Sequence, residues 1–227
     1  MRRLFKCWMM RRKVVTGFCM DFEREPWMAG ALLLEKWGLS LLEQHPFRGD
    51  EMVLDAGCGL GGTTRRLLER IPNGSLVAVD CDGAVLEVAR QAVGGAGVTR
   101  AEFVKSDLFD LAFDKRFDVV FSNGAFHWIE DHEKLFKLMH RWLKPGGILL
   151  AQCCGHGCFD AALRILGRIA RQPKFSRYFK DEEGRVESPR VSYNFSSNDT
   201  AAFHLESAGF SRVQASLRNE TVQFDSE

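Results

Sequence analysis

Five short apolar runs recur between residues 52 and 154, and segments with a helical period separate most of them. MVLDAG (52–57), SLVAVD (75–80), AEFVKSD (101–107), FDVVFSN (117–123) and ILLAQCC (148–154) each have the length and aliphatic content of a buried strand. TTRRLLERI (63–71), GAVLEVARQAV (83–93) and HEKLFKLMHRWL (132–143) keep their apolar residues on one helical face. The turn Pro72-Asn73-Gly74, the pair Gly94-Gly95 and the stop Pro145-Gly146-Gly147 punctuate the alternation. Buried strands alternating with helices predict an α/β fold: a doubly wound, mostly parallel Rossmann-like sheet with helices on both faces. On such sheets ligands bind beyond the C-terminal strand ends. Asp55, Asp80, Asp107 and Asn123 all fall at those ends and should converge on one crevice.

Flanking segments read differently. Residues 1–49 form a basic tail and a helical flap, the latter from DFEREPWMAGALLLEKWGLSLLEQH (21–45). Residues 50–227 form the core, with 155–196 as a segment that caps the ligand site. NDTAAFHLESAGF (198–210) is an amphipathic helix with Asn198 or Asp199 as its cap and Gly209 as its stop. RVQASLRNETVQF (212–224) alternates like a strand, antiparallel at the sheet edge.

Composition narrows the class. At 227 residues, 45% hydrophobic and 27% charged, the chain is one ordinary globular domain with a small appendage. A net charge of +1 makes no case for nucleic acid. No apolar run reaches the ~20 residues of a membrane span. Seven cysteines and no secretory leader point to reduced thiols in a cytoplasmic protein. Arg2, Arg3, Lys6, Arg11, Arg12 and Lys13 form a basic start that reads as a frayed tail.

VLDAGCGLGG (53–62) satisfies two glycine fingerprints. Gly57, Gly59 and Gly62 fit the G-x-G-x-x-G of a dinucleotide turn, and Asp55, Gly57, Gly59 and Gly61 fit the acidic-x-G-x-G-x-G of an S-adenosylmethionine (SAM) site. Both ligands carry a ribose that an acid on the second strand, here Asp80, can chelate. A pyrophosphate favours neutral backbone donors, which an acid at Asp55 would oppose. The ammonium and sulfonium groups of SAM favour it.

VLDAGCGLGG, VAVD, SDL, FDVVFSNGAFHWI and LKPGGILLAQ, in this order, resemble the successive motifs of class I SAM-dependent methyltransferases, from about Trp37 to Phe210. The resemblance implies that Asp55, Gly57, Cys58 and Gly59 line the methionine part of the cofactor and that Asp80 holds its ribose. Cys81, Asp107 and Leu108 then flank the adenine, and Asn123 and Gly124 lie under the methyl donor. SNGAFHW (122–128) is similar to the trans-aconitate methyltransferase group, whose members esterify carboxylates. The implied catalytic pair is His127 and Trp128, shaping a pocket for a small-molecule acid, with His127 offering a hydrogen bond to its oxygen. Arg164, Arg168 and Arg171 are candidate partners for that acid, against the commoner reading of a solvated face. A hydroxyl or amine acceptor, with His127 as base, stays open, as do a carrier-bound acyl acceptor and a SAM-binding module that has lost catalysis.

CCGHGC (153–158) invites a metal reading, but alternate residues of a strand face opposite ways, and no metal is expected. Phe18, Phe22 and Trp27 stand where related enzymes carry an aromatic over the sulfonium, though core packing explains them as well. Asp225-Ser226-Glu227 are helix-opening residues, so the sequence reads as stopping before the seventh strand of the fold, unless 221–224 supply it. A missing edge strand would open the sheet to pairing as a homodimer.

Overall fold

The computed structural model describes residues 25–94, 98–113, 117–155, 160–180 and 197–218. The basic tail with Phe18 and Phe22, the thiol-turn residues His156 and Cys158, much of the cap segment and residues 221–224 lie outside them.

Helix α1 (Glu25–Leu42) precedes the sheet and carries Trp27. The core then runs β1 (Met52–Ala56), α2 (Gly62–Arg70), β2 (Ser75–Asp80), α3 (Gly83–Ala92), β3 (Ala101–Lys105), β4 (Phe117–Asn123), α4 (His132–Trp142) and β5 (Leu143–Gln152). Helices α5 (Asp160–Ala170), α6 (Pro173–Ser176) and α7 (Asn198–Ser207) follow. The sheet order is β3-β2-β1-β4-β5, and every pairing is parallel. The chain winds outward from β1 to β3, then crosses back to lay β4 on the other side of β1. The order therefore reverses between β1 and β4, where doubly wound sheets open their ligand crevice.

Period-two alternation divides the core into two layers. Val53, Leu76, Ala78, Val119 and Phe121 face α1, α2 and α3 through Leu42, Leu67 and Ala89. Leu54, Val77, Val79 and Val120 face α4 through Leu135, Met139 and Trp142, joined by Leu205 and Phe210 around the end of α7. Each fully buried Leu or Val contributes roughly 1.5–3 kcal/mol of transfer free energy, so the two layers hold the strand ends in a rigid row.

Four boundaries depart from expectation. The fifth strand begins at Leu143, which pairs with Phe117, and pairing resumes at Ile148 opposite Val119, so Lys144–Gly147 bulge outward. Lys144 uses the bulge to reach Asp118 at 2.7 Å, and Asp118 also accepts from Met52 N–H at 2.9 Å. That strand ends at Gln152, before Cys153 and Cys154. Helix α7 is capped by Ser197, whose hydroxyl accepts from Thr200 N–H, not by Asn198 or Asp199. Residues 213–218 are irregular, not a strand. Among the described residues no strand pairs with this segment, and Leu217 stays exposed.

Candidate active site

After β1 the backbone turns through left-handed conformations at Gly57, Gly59 and Gly61. Gly57 and Cys58 donate N–H groups to Val79 O at 2.8 and 3.0 Å, which draws the turn over the end of β2. Two of these glycines serve different ends. A Cβ on Gly61 would lie 2.7 Å from Ala89 Cα, so this position lets α3 pack close. A Cβ on Gly59 would meet nothing within 4 Å, so here the turn faces open space.

Two carboxylates border the turn. Asp55 is buried in β1 and accepts a 2.7 Å hydrogen bond from Thr64 Oγ1, in the first turn of α2. Burial pushes its pKa up to about 7; the Thr64 bond pulls it down, and the charge of Asp80 adds to the rise. Asp80 accepts from Gly59 N–H at 3.1 Å through one oxygen and from Asp82 N–H at 3.0 Å through the other. It does not cap α3; Asp82 does that, accepting from Ala84 and Val85. Asp80 is thus held by the glycine turn, and a carboxylate with two such bonds keeps lone pairs for a ligand's hydroxyls. Asp107 ends the next connection, where one oxygen accepts from Phe109 N–H at 2.9 Å and closes a short helical turn over buried Leu108.

At the end of β4, Asn123 donates from Nδ2 to Leu34 O of α1 at 2.7 Å and to Thr63 Oγ1 at 3.2 Å. Its Oδ1 accepts from Gln152 Nε2 at 2.8 Å. Gly124 follows in a left-handed conformation against Leu34 and donates its N–H to Gln152 O. His127 sits in the short turn Phe126–Trp128, 6% exposed, and its Nδ1 accepts from Cys154 N–H at 3.4 Å. Burial pulls its pKa down to about 4. The ring is therefore neutral at pH 7, and with Nδ1 accepting, its proton resides on Nε2. Trp128 lies beside it with the rings tilted by 45° and their centroids 4.8 Å apart, but is 58% exposed. The two are thus unequal partners, one buried and one at the rim.

Residues 53–147 match the family described as "Methyltransferase domain". Over that span the chain is similar to a methyltransferase domain. The match runs from β1 to the bulge of β5 and so contains the glycine turn, both carboxylates and His127. The malonyl-[acyl-carrier protein] O-methyltransferase of Priestia megaterium is 26% identical over 152 residues, 64% of this chain and 54% of the relative. The trans-aconitate 2-methyltransferase of Acidovorax sp. is 37% identical over 100 residues, 44% of this chain and 37% of the relative. A solved Bacillus halodurans methyltransferase structure aligns at TM-score 0.55 and 25% identity, covering 76% of this chain and 68% of that one. Phosphoethanolamine N-methyltransferase 2 of Haemonchus contortus, solved with SAM, shares the fold at TM-score 0.56 and 22% identity, covering 83% and 43%. The chain spans about half the length of the curated relatives it matches.

Within the described residues, Asp80 and the glycine turn form one hydrogen-bonded unit, Asp55 and Thr64 a second, and Asn123 a third with Leu34, Thr63 and Gln152. Sequence reasoning passed over Thr63, Thr64 and the backbone of α1. For α1 there was a signal: Gly38 interrupts an otherwise apolar helical run, a position that marks close approach. A Cβ there would lie 2.7 Å from both Asn123 Nδ2 and Thr63 Oγ1. Arg164, Arg168 and Arg171 are all exposed, and Arg171 donates to Gly167 O of its own helix, the arrangement of a solvated face. Of the site thiols, Cys58 is buried and its pKa raised by burial, Cys81 is exposed, and Cys153 and Cys154 are half-buried. Among the described residues, no three His, Cys, Asp or Glu side chains are placed to hold a metal ion, and no helix is long and apolar enough to cross a membrane.

Proposed function

We propose that this chain binds SAM at the β1–β4 end of the sheet and transfers its methyl group to a carboxylate oxygen of a small molecule. The observation that carries the reading is the pair of carboxylates, Asp55 and Asp80, bordering a glycine turn that opens to solvent at Gly59. Buried negative charge disfavours a pyrophosphate and favours a ligand bearing ammonium and sulfonium groups. In this reading Asp55, Gly57, Cys58 and Gly59 receive the methionine part, Asp80 the ribose, and Cys81, Asp107 and Leu108 the adenine. Asn123 and Gly124 border the methyl donor, and His127 and Trp128 border the acceptor.

The transfer is a direct displacement. A lone pair of the carboxylate oxygen forms the O–CH3 bond, the S–CH3 bond breaks, and its electrons stay on sulfur as the neutral thioether of S-adenosylhomocysteine. No proton moves, because a carboxylate is already ionised at pH 7. Catalysis then consists of desolvating the oxygen and aligning it with carbon and sulfur. His127, neutral with its proton on Nε2, suits a donor to that oxygen better than a base. A pKa near 4 is too low to take a proton efficiently from a hydroxyl or an ammonium. The names of the trans-aconitate and malonyl-carrier relatives agree with an acid acceptor. The setting we propose is cytoplasmic, with no nucleic-acid or membrane partner, and any self-association is a homodimer.

Calorimetric titration with S-adenosylhomocysteine, with NAD⁺ as control, tests the cofactor. Micromolar binding of the first alone is expected. Binding of NAD⁺ instead, or of neither, defeats the proposal. A panel of di- and tricarboxylic acids, assayed for ester formation, then tests the acceptor.

A further inference from the structure

Four elements meet at Asn123, and one side chain decides how they meet. Asn123 ends β4. Its Nδ2 donates to the Leu34 carbonyl of α1 at 2.7 Å and to Thr63 Oγ1 of α2 at 3.2 Å. An amide can present its donor to α1 and α2 only while its oxygen points the other way, and that oxygen accepts from Gln152 Nε2 of β5 at 2.8 Å. The Leu34 carbonyl only accepts and so fixes the flip of Asn123, and Gln152 completes the arrangement by donating to the oxygen that this flip turns away. Gly38 brings α1 close enough for the arrangement, since any Cβ there would collide with the same Asn123 and Thr63 atoms. A second tie lies one residue from Leu34: Glu35 pairs with Arg66 at 3.3 Å and with Arg65 at 3.8 Å, both on α2. Those pairs are partly exposed and worth little each. The Asn123 amide carries the orientation, because one side chain bonds α1, α2 and β5 at once.

We infer that Gln152 is a positioning residue: by donating to Asn123 Oδ1 it holds the Asn123 amide in the orientation that bonds α1 and α2, and so keeps α1 seated against the glycine-turn helix beside the mouth of the cofactor crevice. This rests on the proposed SAM site, because the seated helix matters for turnover only if the crevice holds the cofactor. Gln152→Glu is a sharp test. A carboxylate cannot donate to Asn123 Oδ1, so the Asn123 amide turns over to donate to it. Oδ1 then faces the Leu34 carbonyl, acceptor against acceptor. Gln152→Met removes the donor without adding charge. Asn123→Asp keeps an acceptor for Gln152 but cannot donate to α1.

Two measurements on the full chain separate the outcomes. Hydrogen exchange without ligand reads the seating of α1 directly. In each variant, peptides covering 34–42 are expected to exchange roughly five- to ten-fold faster, the effect of about one lost hydrogen bond, with β1 and β4 unchanged. Stopped-flow release of S-adenosylhomocysteine is expected to quicken by a similar factor, without a matching fall in thermal midpoint. Unchanged exchange in 34–42 overturns the inference. So does faster exchange with unaltered release, or faster release that only tracks global destabilisation. If the parent protein binds no S-adenosylhomocysteine, the SAM proposal falls, and the exchange data alone decide whether Gln152 seats α1.

Discussion

Thr64 Oγ1 donates to Asp55 Oδ2 at 2.7 Å, and both groups are buried where β1 meets α2. The bond is formed within nine residues of sequence, across a turn of glycines, by the two elements that frame the site. It is the feature that lets a carboxylate survive in a fully buried position. Replacing the hydroxyl by a methyl, Thr64→Val, keeps the volume and strands the acid. A loss of about 1–3 kcal/mol is expected near pH 8, where Asp55 is ionised, and less near pH 5, where it is not. Urea unfolding at the two pH values checks this.

The titration of Asp55 has a definite sign. Its pKa is raised from 3.8 to about 7 in the folded state. Between these values the folded protein holds a proton that the unfolded chain has lost. Its contribution to stability is therefore greatest below about pH 4, falls as pH rises, and levels off above about pH 7, by an amount on the order of a few kcal/mol. Asp55→Asn should flatten that slope in unfolding curves. A cationic ligand favours the ionised form, so S-adenosylhomocysteine binding near pH 6 should release protons. Calorimetry in buffers of different ionisation enthalpy measures them, and no release in the parent protein contradicts the assignment.

Asp80 holds the turn and, in the proposed function, the ribose. Asp80→Ala removes the acceptor of Gly59 N–H and Asp82 N–H together. Affinity for S-adenosylhomocysteine should fall by at least about 100-fold, as expected when two or more good hydrogen bonds are lost. Asp80→Asn should fall less, because its amide oxygen still accepts. Equal affinities for parent and Asp80→Ala would remove Asp80 from the site.

Gly59 and Gly61 make a contrasting pair. At Gly61, φ is 82° and a Cβ would meet Ala89 Cα at 2.7 Å, so Gly61→Ala should cost about 2–4 kcal/mol of stability through strain and overpacking. At Gly59, φ is 55° and nothing lies within 4 Å, so Gly59→Ala should cost only about 1–2 kcal/mol. The same change should nonetheless weaken cofactor binding, because a methyl group then occupies the approach. Unfolding midpoints and binding isotherms of the two variants together separate the roles.

His127 should act as a neutral donor. With a pKa near 4, it charges only in acid, so at saturating cofactor, where the bound ligand keeps Asp55 ionised, the rate of ester formation should be flat from about pH 6 to 9 and fall only below about pH 5. His127→Ala should lower turnover more than S-adenosylhomocysteine affinity. His127→Gln, whose amide reaches the position of Nε2, should recover part of the loss. A rate that climbs with pH through neutrality would instead identify a base.

Much of this protein was legible in its pattern. The five strands, the helices between them and the glycine turn follow from apolar period, glycine placement and turn residues, because these are local and each is over-determined by burial on two faces. Asp55, Asp80 and Asn123 could be assigned to one end of the sheet because all C-terminal ends of parallel strands lie on the same edge. The misses share a different cause. The bulge at Lys144–Gly147 accompanies the contact of Lys144 with Asp118, 26 residues away, and 213–218 pairs with no strand among the described residues. Neither partner is visible in a local window.

The amide of Asn123 shows the limit most clearly. Its type and its place at the end of β4 are sequence properties. Which atom it turns toward α1 is settled by the Leu34 carbonyl, 89 residues earlier, with Gln152 taking the other end of the amide. Likewise an aspartate at position 55 is written in the chain, but its pKa is not. The sequence by itself determined which groups stand at the sheet's C-terminal edge, since chain direction and strand period suffice for that. Only the tertiary structure decided which of them are buried, paired or left facing the crevice, because desolvation and hydrogen-bond geometry depend on neighbours that meet only when the sheet and its helices close.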